Sequence, residues 1–272
     1  MISAINKLLV LFLFSPVTFS GLFSQEIIRA MPYGGKQQLK EFIDQEIVYP
    51  KAELQKGTEG TVIITCLVNR DAKVSNIKVT QSVSPALDAE ALRIFNLLLW
   101  KPATYLGSPR DGKAEVAVEF SVKHYRKIVK NRGYENAAPL LTETDTSGRI
   151  FSFRNTETPP KPVFKEAGMS MQQFMADNFL YPEPALRQNI TGIVELRFVV
   201  EPNGRISNVE IQKHLGAGCS EEAMRLVKLF TWTPGMAGGK AVRTMMSLSM
   251  SFSLSGGNGY SVSPAQPGIS LQ

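Results

Sequence analysis

Cys66, Cys219, His124 and His214 have the widest chemical range in this sequence, and their spacing serves none of it. A zinc site needs Cys or His ligands at short, paired intervals, and neither histidine stands at such an interval from a cysteine. The chain has no Gly-x-Ser-x-Gly elbow for a nucleophilic serine, no phosphate-cradling glycine-rich loop and no His-Glu-x-x-His. Asp88 with Glu90, and Glu221 with Glu222, are carboxylate pairs at expected helix starts, where capping and the helix dipole account for acidic residues. Met245, Met246 and Met250 are soft-metal ligand types, but their alternation fits strand packing better. Trp100 and Trp232 are candidate partner anchors, and their place after a helix favours core packing. The residues therefore predict no enzyme, no metal site and no cofactor.

With 43% hydrophobic and 20% charged residues, the 272-residue chain has enough apolar content for one large or two small cores. The net charge of +6 invites a nucleic-acid reading until it is divided along the chain. Residues 26–125 hold 13 basic and 12 acidic groups, and residues 161–254 hold 10 and 8, so neither half has a surplus for binding phosphates. Lys123, Arg126, Lys127, Lys130 and Arg132 crowd together between the halves. They read as a solvated linker, with contact to anionic lipid or another envelope polymer as the alternative.

Positions are set by a repeat at a constant offset of 132 residues. Tyr49-Pro50 returns as Tyr181-Pro182, Gly60 as Gly192, Val68 as Val200, Ser75-Asn76 as Ser207-Asn208, Arg93 as Arg225, Trp100 as Trp232 and Pro102 as Pro234. Beyond these, Gly112-Lys113 matches Gly239-Lys240 at an offset of 127, which predicts five extra residues in a surface loop of the first copy. At the 132 offset Cys66 answers to Phe198 and Cys219 to Leu87, so both cysteines are expected as buried small hydrophobes in separate cores.

Each copy reads as helix–strand–strand–helix–strand. Leu39, Phe42, Ile43 and Ile47 have helical spacing before Pro50, as do Met171, Phe174, Met175 and Phe179 before Pro182. Val62, Ile64, Cys66 and Val68 alternate in a strand, matched by Val194, Leu196, Phe198 and Val200. Turns at residues 69–71 and 201–204 then reverse the chain into hairpins. The second helix is expected from near Asp88 or Ser220 as cap, burying Leu92, Phe95 and Leu99 or Met224 and Val227, until Pro102 or Pro234. A last strand alternates Val116, Val118, Phe120 and Val122, or Met246, Leu248, Met250 and Phe252. The fold class is α+β: two tandem small domains, each with a three-stranded antiparallel sheet.

Lys7, the apolar run at residues 8–14, Pro16 and then Thr18, Ser20, Gly21 and Ser24 form a secretory signal over residues 1–24. Cleavage after Ser20 or near Gln25 is expected, the alternative being an uncleaved inner-membrane anchor with weak membrane contact. Domains are expected at residues 26–124 and 162–254, with a linker at 125–161 and a disordered tail at 255–272.

The Gly-rich opening of the first helix, Tyr-Pro, Gly before the first strand, Val-Ser-Asn-Ile or Ile-Ser-Asn-Val after a turn, and Trp-Lys-Pro or Trp-Thr-Pro occur as an ordered set in residues 31–124 and 162–254. In this the chain resembles the TonB C-terminal domain, in the tandem form of Bacteroidetes-type bacteria. The motif positions are Tyr49, Pro50, Gly60, Trp100 and Pro102, and Tyr181, Pro182, Gly192, Trp232 and Pro234. The resemblance implies a periplasmic protein that adds a receptor's TonB-box peptide as an extra strand at its sheet edge. It also implies energy transduction in transmembrane transport, with outer-membrane receptors or an ExbB/ExbD-type complex as partners and no nucleic acid. The edge it points to is the last strand of copy one: Ala114, Val116, Ala117, Val118, Phe120 and Val122.

Two departures weigh against a full transducer. About ten residues separate Gln25 from the first domain, a reach of at most about 35 Å, where a TonB-like arm is long and proline-rich. Copy two has Phe164-Lys165-Glu166-Ala167-Gly168 where copy one has Met31-Pro32-Tyr33-Gly34-Gly35, losing the double glycine. An envelope adaptor or scaffold without energy transduction is the alternative.

Overall fold

The computed structural model describes residues 27–132, 143–164, 168–255 and 259–265. The expected signal segment lies outside the described residues. No described helix is long and apolar enough to cross a membrane.

Copy one runs α1 (Gly35–Glu46), α2 (Lys51–Lys56), β1 (Gly60–Val68), β2 (Val74–Gln81), α3 (Pro85–Asn96), the small hairpin β3 (Ala103–Tyr105) and β4 (Ser108–Arg110), β5 (Gly112–Phe120) and α4 (Val122–Arg132). A short strand β6 (Ile150–Ser152) precedes copy two, which runs α5 (Met171–Asn178), α6 (Glu183–Arg187), β7 (Gly192–Val200), β8 (Ile206–Lys213), α7 (Cys219–Leu229), β9 (Gly235–Ala237), the long β10 (Lys240–Ser255) and β11 (Gly259–Ala265). Each copy has its first strand in the middle of an antiparallel sheet: β2-β1-β5 in copy one and β8-β7-β10 in copy two. Alternation along β1 and β5 turns Val62, Ile64, Cys66, Val116, Val118 and Phe120 into one core, with Leu87, Ala91, Ile94 and Phe95 of α3 packed against them. Copy two repeats this with Val194, Leu196, Phe198, Leu248, Met250 and Phe252 under α7.

The repeated marks have repeated jobs. Gly60 and Gly192 sit at φ 151° and 153°, and a Cβ there would lie 2.8 Å from Val83 Cγ2 or 3.0 Å from Leu215 Cδ1. The Tyr49 hydroxyl donates to the Thr58 carbonyl and the Tyr181 hydroxyl to the Ile190 carbonyl, each ring lying edge-on to Phe120 or Phe252. Trp100 and Trp232 are buried beside Phe95 and Phe198. Asn76 and Asn208 both take φ 51° at a matching bulge in the hairpin.

Several expectations need correction. β5 pairs Val118 with Val62 and β10 pairs Met250 with Val194, while Ala103 faces Arg110 as Gly235 faces Val242. The offset therefore stays at 132 through the last strand, and copy one has no insertion; Gly112 is equivalent to Thr244, and its likeness to Gly239 is coincidental. Helix α3 is capped by Ser84, whose side chain accepts from Leu87 N, while Asp88 accepts from Val83 N and the Ser82 hydroxyl. Gly218, at φ 89°, begins α7, and Ser220 bonds back to Leu215 instead. The helices stop at Asn96 and Leu229, before Pro102 and Pro234, because Trp100-Lys101 and residues 231–233 already pair with Met31-Pro32 and residues 161–163. Consequently Ile94 and Leu98, not Leu99, complete the burial.

The expected linker and tail carry structure. Val122 starts α4 and is not a strand residue. Tyr125 of α4 is buried, and the Arg132 guanidinium donates to the carbonyls of Asp44, Gln45 and Ile47, binding this basic helix to the C-terminal end of α1. β6 and β11 both pair with β10, so residues 150–152 and 259–265 are strands.

Candidate functional site

Sheet edges are where backbone polar groups are left to bind another chain. In β1, the Thr61 carbonyl accepts from the Gln81 side chain at 2.8 Å and the Ile63 carbonyl from the Thr80 hydroxyl at 3.3 Å, both on the β2 side. Because backbone groups alternate along a strand, the even-numbered residues of β1 face β5, and their even-numbered partners in β5 face back. The odd-numbered residues Lys113, Glu115, Ala117 and Glu119 thus turn their N–H and C=O groups away from the sheet. Their side chains are exposed, and among the described residues no strand pairs with that edge.

Of the residues expected to form the binding edge, only Ala117 belongs to this outward row. Ala114, Val116, Val118 and Phe120 are buried, their backbone groups committed to β1, and Val122 lies in the helix. Apolar alternation marks only the inward row; Lys113, Glu115 and Glu119 lie in its complement, which carries the outward backbone groups.

Copy two differs at the same place. The outer edge of β10 is occupied along most of its length by the chain itself. Ala241 donates to the Glu143 carbonyl at 2.7 Å and accepts from Asp145 N at 2.9 Å. Residues 243–245 pair in parallel with β6, and residues 249–255 pair antiparallel with β11.

The hairpins differ too. Ser75, Asn76, Ile77 and Lys78 are not buried, whereas their equivalents Ser207, Asn208, Val209 and Glu210 are buried against copy one. The Asn208 side chain donates to the Leu97 carbonyl at 3.0 Å and accepts from Leu99 N at 2.7 Å. Arg243 forms a two-pronged pair with Glu201, 2.9 Å on each prong, and donates to the same Leu97 carbonyl at 2.8 Å. Glu210 bridges Lys101 and Arg197, and the Arg197 guanidinium also donates to the Tyr33 hydroxyl at 2.7 Å and lies over its ring. Burial pushes the Tyr33 phenol up, with Arg197 pulling it back. Arg205 pairs with Glu46, and Lys228 with Glu41. A Cβ on Gly34 would come within 2.8 Å of the Val209 carbonyl, so the first glycine of the pair in copy one also fits the approach of copy two.

The carboxylates read from sequence as dipole complements have a more specific task. Glu90 accepts from Val48 N at 2.7 Å and pairs with Arg93, which donates to the Glu46 carbonyl. Glu222, Leu180, Arg225 and Asn178 repeat the arrangement, locking the second helix of each copy to the end of the first. Both cysteines are free and buried, and burial pushes both thiols up, away from the reactive thiolate. Among the described residues no group of three His, Cys, Asp or Glu is placed to hold a metal.

The profile of the family described as Gram-negative bacterial TonB protein C-terminal matches twice, over residues 45–122 and 177–254. No curated protein sequence matches the chain. Among solved structures, the NMR structure of the Helicobacter pylori TonB C-terminal domain is similar at 21% identity, covering 31% of this chain and 78% of that one, with a TM-score of 0.24. The two profile matches together span more than half of the chain.

Proposed function

Since the chain belongs to the TonB C-terminal family, with two copies, we propose that copy one captures an extended peptide by strand addition at the outer edge of β5. The observation that carries this reading is the outward row Lys113, Glu115, Ala117 and Glu119, with no strand paired to it among the described residues. Main-chain pairing supplies affinity there, while the exposed alternate side chains supply selectivity. The peptides are TonB-box-like segments of outer-membrane receptors, which places the protein in the periplasm and links it to TonB-dependent transport.

Titration of the full chain with TonB-box-like peptides from the same organism's receptors tests this. Ala117→Pro removes one outward N–H at an edge position where proline is tolerated, so it should abolish binding with the circular dichroism spectrum intact. Ala117→Ser keeps that N–H and should change binding little. Absence of binding at millimolar peptide would make the chain an envelope adaptor without a part in transport.

A further inference from the structure

Ile27, Ile28 and Leu106 are exposed aliphatic residues gathered at one corner of copy one, with Ile27 67% and Leu106 66% exposed. Ile27 and Ile28 pair with Tyr105 and Thr104 of β3, and Leu106-Gly107 turns β3 into β4. Such a two-residue turn needs positive φ at both positions, and Leu106 takes 49° and Gly107 76°. By the 132-residue equivalence, copy two makes the same turn with Gly238-Gly239 at 60° and 72°, where no Cβ opposes it. It also has Ala237 for Tyr105 and Pro159-Pro160 for Ile27-Ile28. Copy one thus holds a leucine in a strained turn and leaves its side chain in water, and strain kept without a packing return points to a use outside the fold.

The residues around this tip are ordered by polarity. Cross-strand partners share a face, so Ile27 and Tyr105 lie together, and Arg110, opposite Ala103, lies behind Tyr105 on the same face. The Arg110 guanidinium is 5.7 Å from the centre of the Tyr105 ring. Arg29 follows Ile27 by two residues and is exposed, and neither arginine forms an ion pair among the described residues. Asp111, the neighbouring carboxylate, accepts from Arg70 N. Ala103 stands three residues from Leu106, about 10 Å at about 3.3 Å per residue. Aliphatic tip, aromatic ring and arginine therefore succeed one another over about the 5–10 Å to which an interfacial element enters a bilayer.

We propose that the tip formed by Leu106, Tyr105 and Ile27 inserts into the surface of an anionic phospholipid bilayer, with Arg29 and Arg110 meeting the phosphates. A convex apolar tip backed by cations fits such a surface, whose charge is negative and whose interior is hydrocarbon. The apolar run at residues 8–14, expected to lie in the bilayer during export, ends shortly before Ile27, so this corner is delivered beside a membrane. The inference goes beyond peptide capture by copy one and uses a different surface and a different probe, so either can fail alone.

The test uses the mature chain, beginning at Glu26, and vesicles of equal parts phosphatidylglycerol and phosphatidylcholine. The chain should sediment with them. Leu106→Gly, which gives copy one the turn residue of copy two, should lower the partition at least about ten-fold without loss of thermal stability. Arg110→Ala should lower it about five-fold, and added salt should weaken it further. A solvent-sensitive dye on Leu106→Cys should shift to the blue on binding, whereas one on Ile77→Cys, an exposed site in the copy-one hairpin, should not; the chain's own two thiols are buried. No vesicle binding, undiminished binding by Leu106→Gly, or a shift at Ile77→Cys in place of Leu106→Cys would overturn the proposal. So would loss on Lys127→Glu with Lys130→Glu while Leu106→Gly binds normally, which would put the contact on α4.

Discussion

Copies one and two share a backbone plan and a core, yet one presents its surfaces to solvent where the other has them covered. Asn69, Lys73, Lys78 and Asp111 of copy one stand where copy two has Glu201, Arg205, Glu210 and Arg243; the last three bond directly to copy one, and Glu201 holds Arg243. Lys78 in place of Glu210 and Asp111 in place of Arg243 reverse the charge. The hairpin face of copy one therefore cannot repeat the same contacts with another chain, and the interface is made once without propagating. Here the kept apolar positions mark the two cores, and charged positions that break the repeat lie where the copies meet, joined there by the kept Asn208.

The sharpest test compares equivalent residues across the copies. Arg243→Ala leaves Glu201 buried without its partner and should cost about 3–5 kcal/mol in denaturant unfolding. Asp111→Ala, at the equivalent exposed position, loses only the acceptor for Arg70 N and should cost about 0.5–1.5 kcal/mol. Similar losses would mean that the buried Arg243–Glu201 pair adds nothing over an exposed position. A smaller contrast is expected for the two bulge asparagines. Both tolerate the same φ of 51°, but Asn208→Ala also takes the acceptor from Leu99 N, while the Leu97 carbonyl keeps Arg243, adding about 1–3 kcal/mol to what Asn76→Ala costs.

Where the copies are alike, substitutions should be alike. Gly60→Ala and Gly192→Ala each force a Cβ against a neighbour at an unfavourable φ, and each should cost about 1–3 kcal/mol, read by thermal or denaturant unfolding. A large gap between them would show that one first strand tolerates rearrangement that the other does not.

The smallest effect is one of pH. Burial raises the Glu46 carboxyl above its ordinary value, with Glu201 adding to the rise and Arg205, Arg93 and Arg132 opposing it. A carboxyl raised on folding favours the folded state most below its unfolded pKa, and that contribution is lost as pH rises through the folded value. Stability should therefore decline across that window, and Glu46→Gln should flatten the decline, since the equivalent Asn178 of copy two carries no charge. An unchanged slope in unfolding measured from pH 4 to 8 would remove Glu46 as its source.

Legible in the chain before folding were the repeat, the helix–strand–strand–helix–strand order, the inward rows of β1, β5, β7 and β10 and the core place of Trp100 and Trp232, because each depends on local period and on which side chains leave water. The register of the last strands, the direction of their free backbone groups, the tasks of Tyr49 and Gly60, the meeting of the copies and the covering of β10 needed the folded chain. An offset of 127 at Gly112 looked as good as 132, because a glycine and a lysine resemble themselves wherever they fall, whereas Val118 can face only one residue of β1. The peptide groups that make an edge are the same for every residue type except proline, so an alphabet of side chains records poorly which edge is open. That depends on which segments reach the edge in three dimensions, as β11 does at β10 and no described strand does at β5.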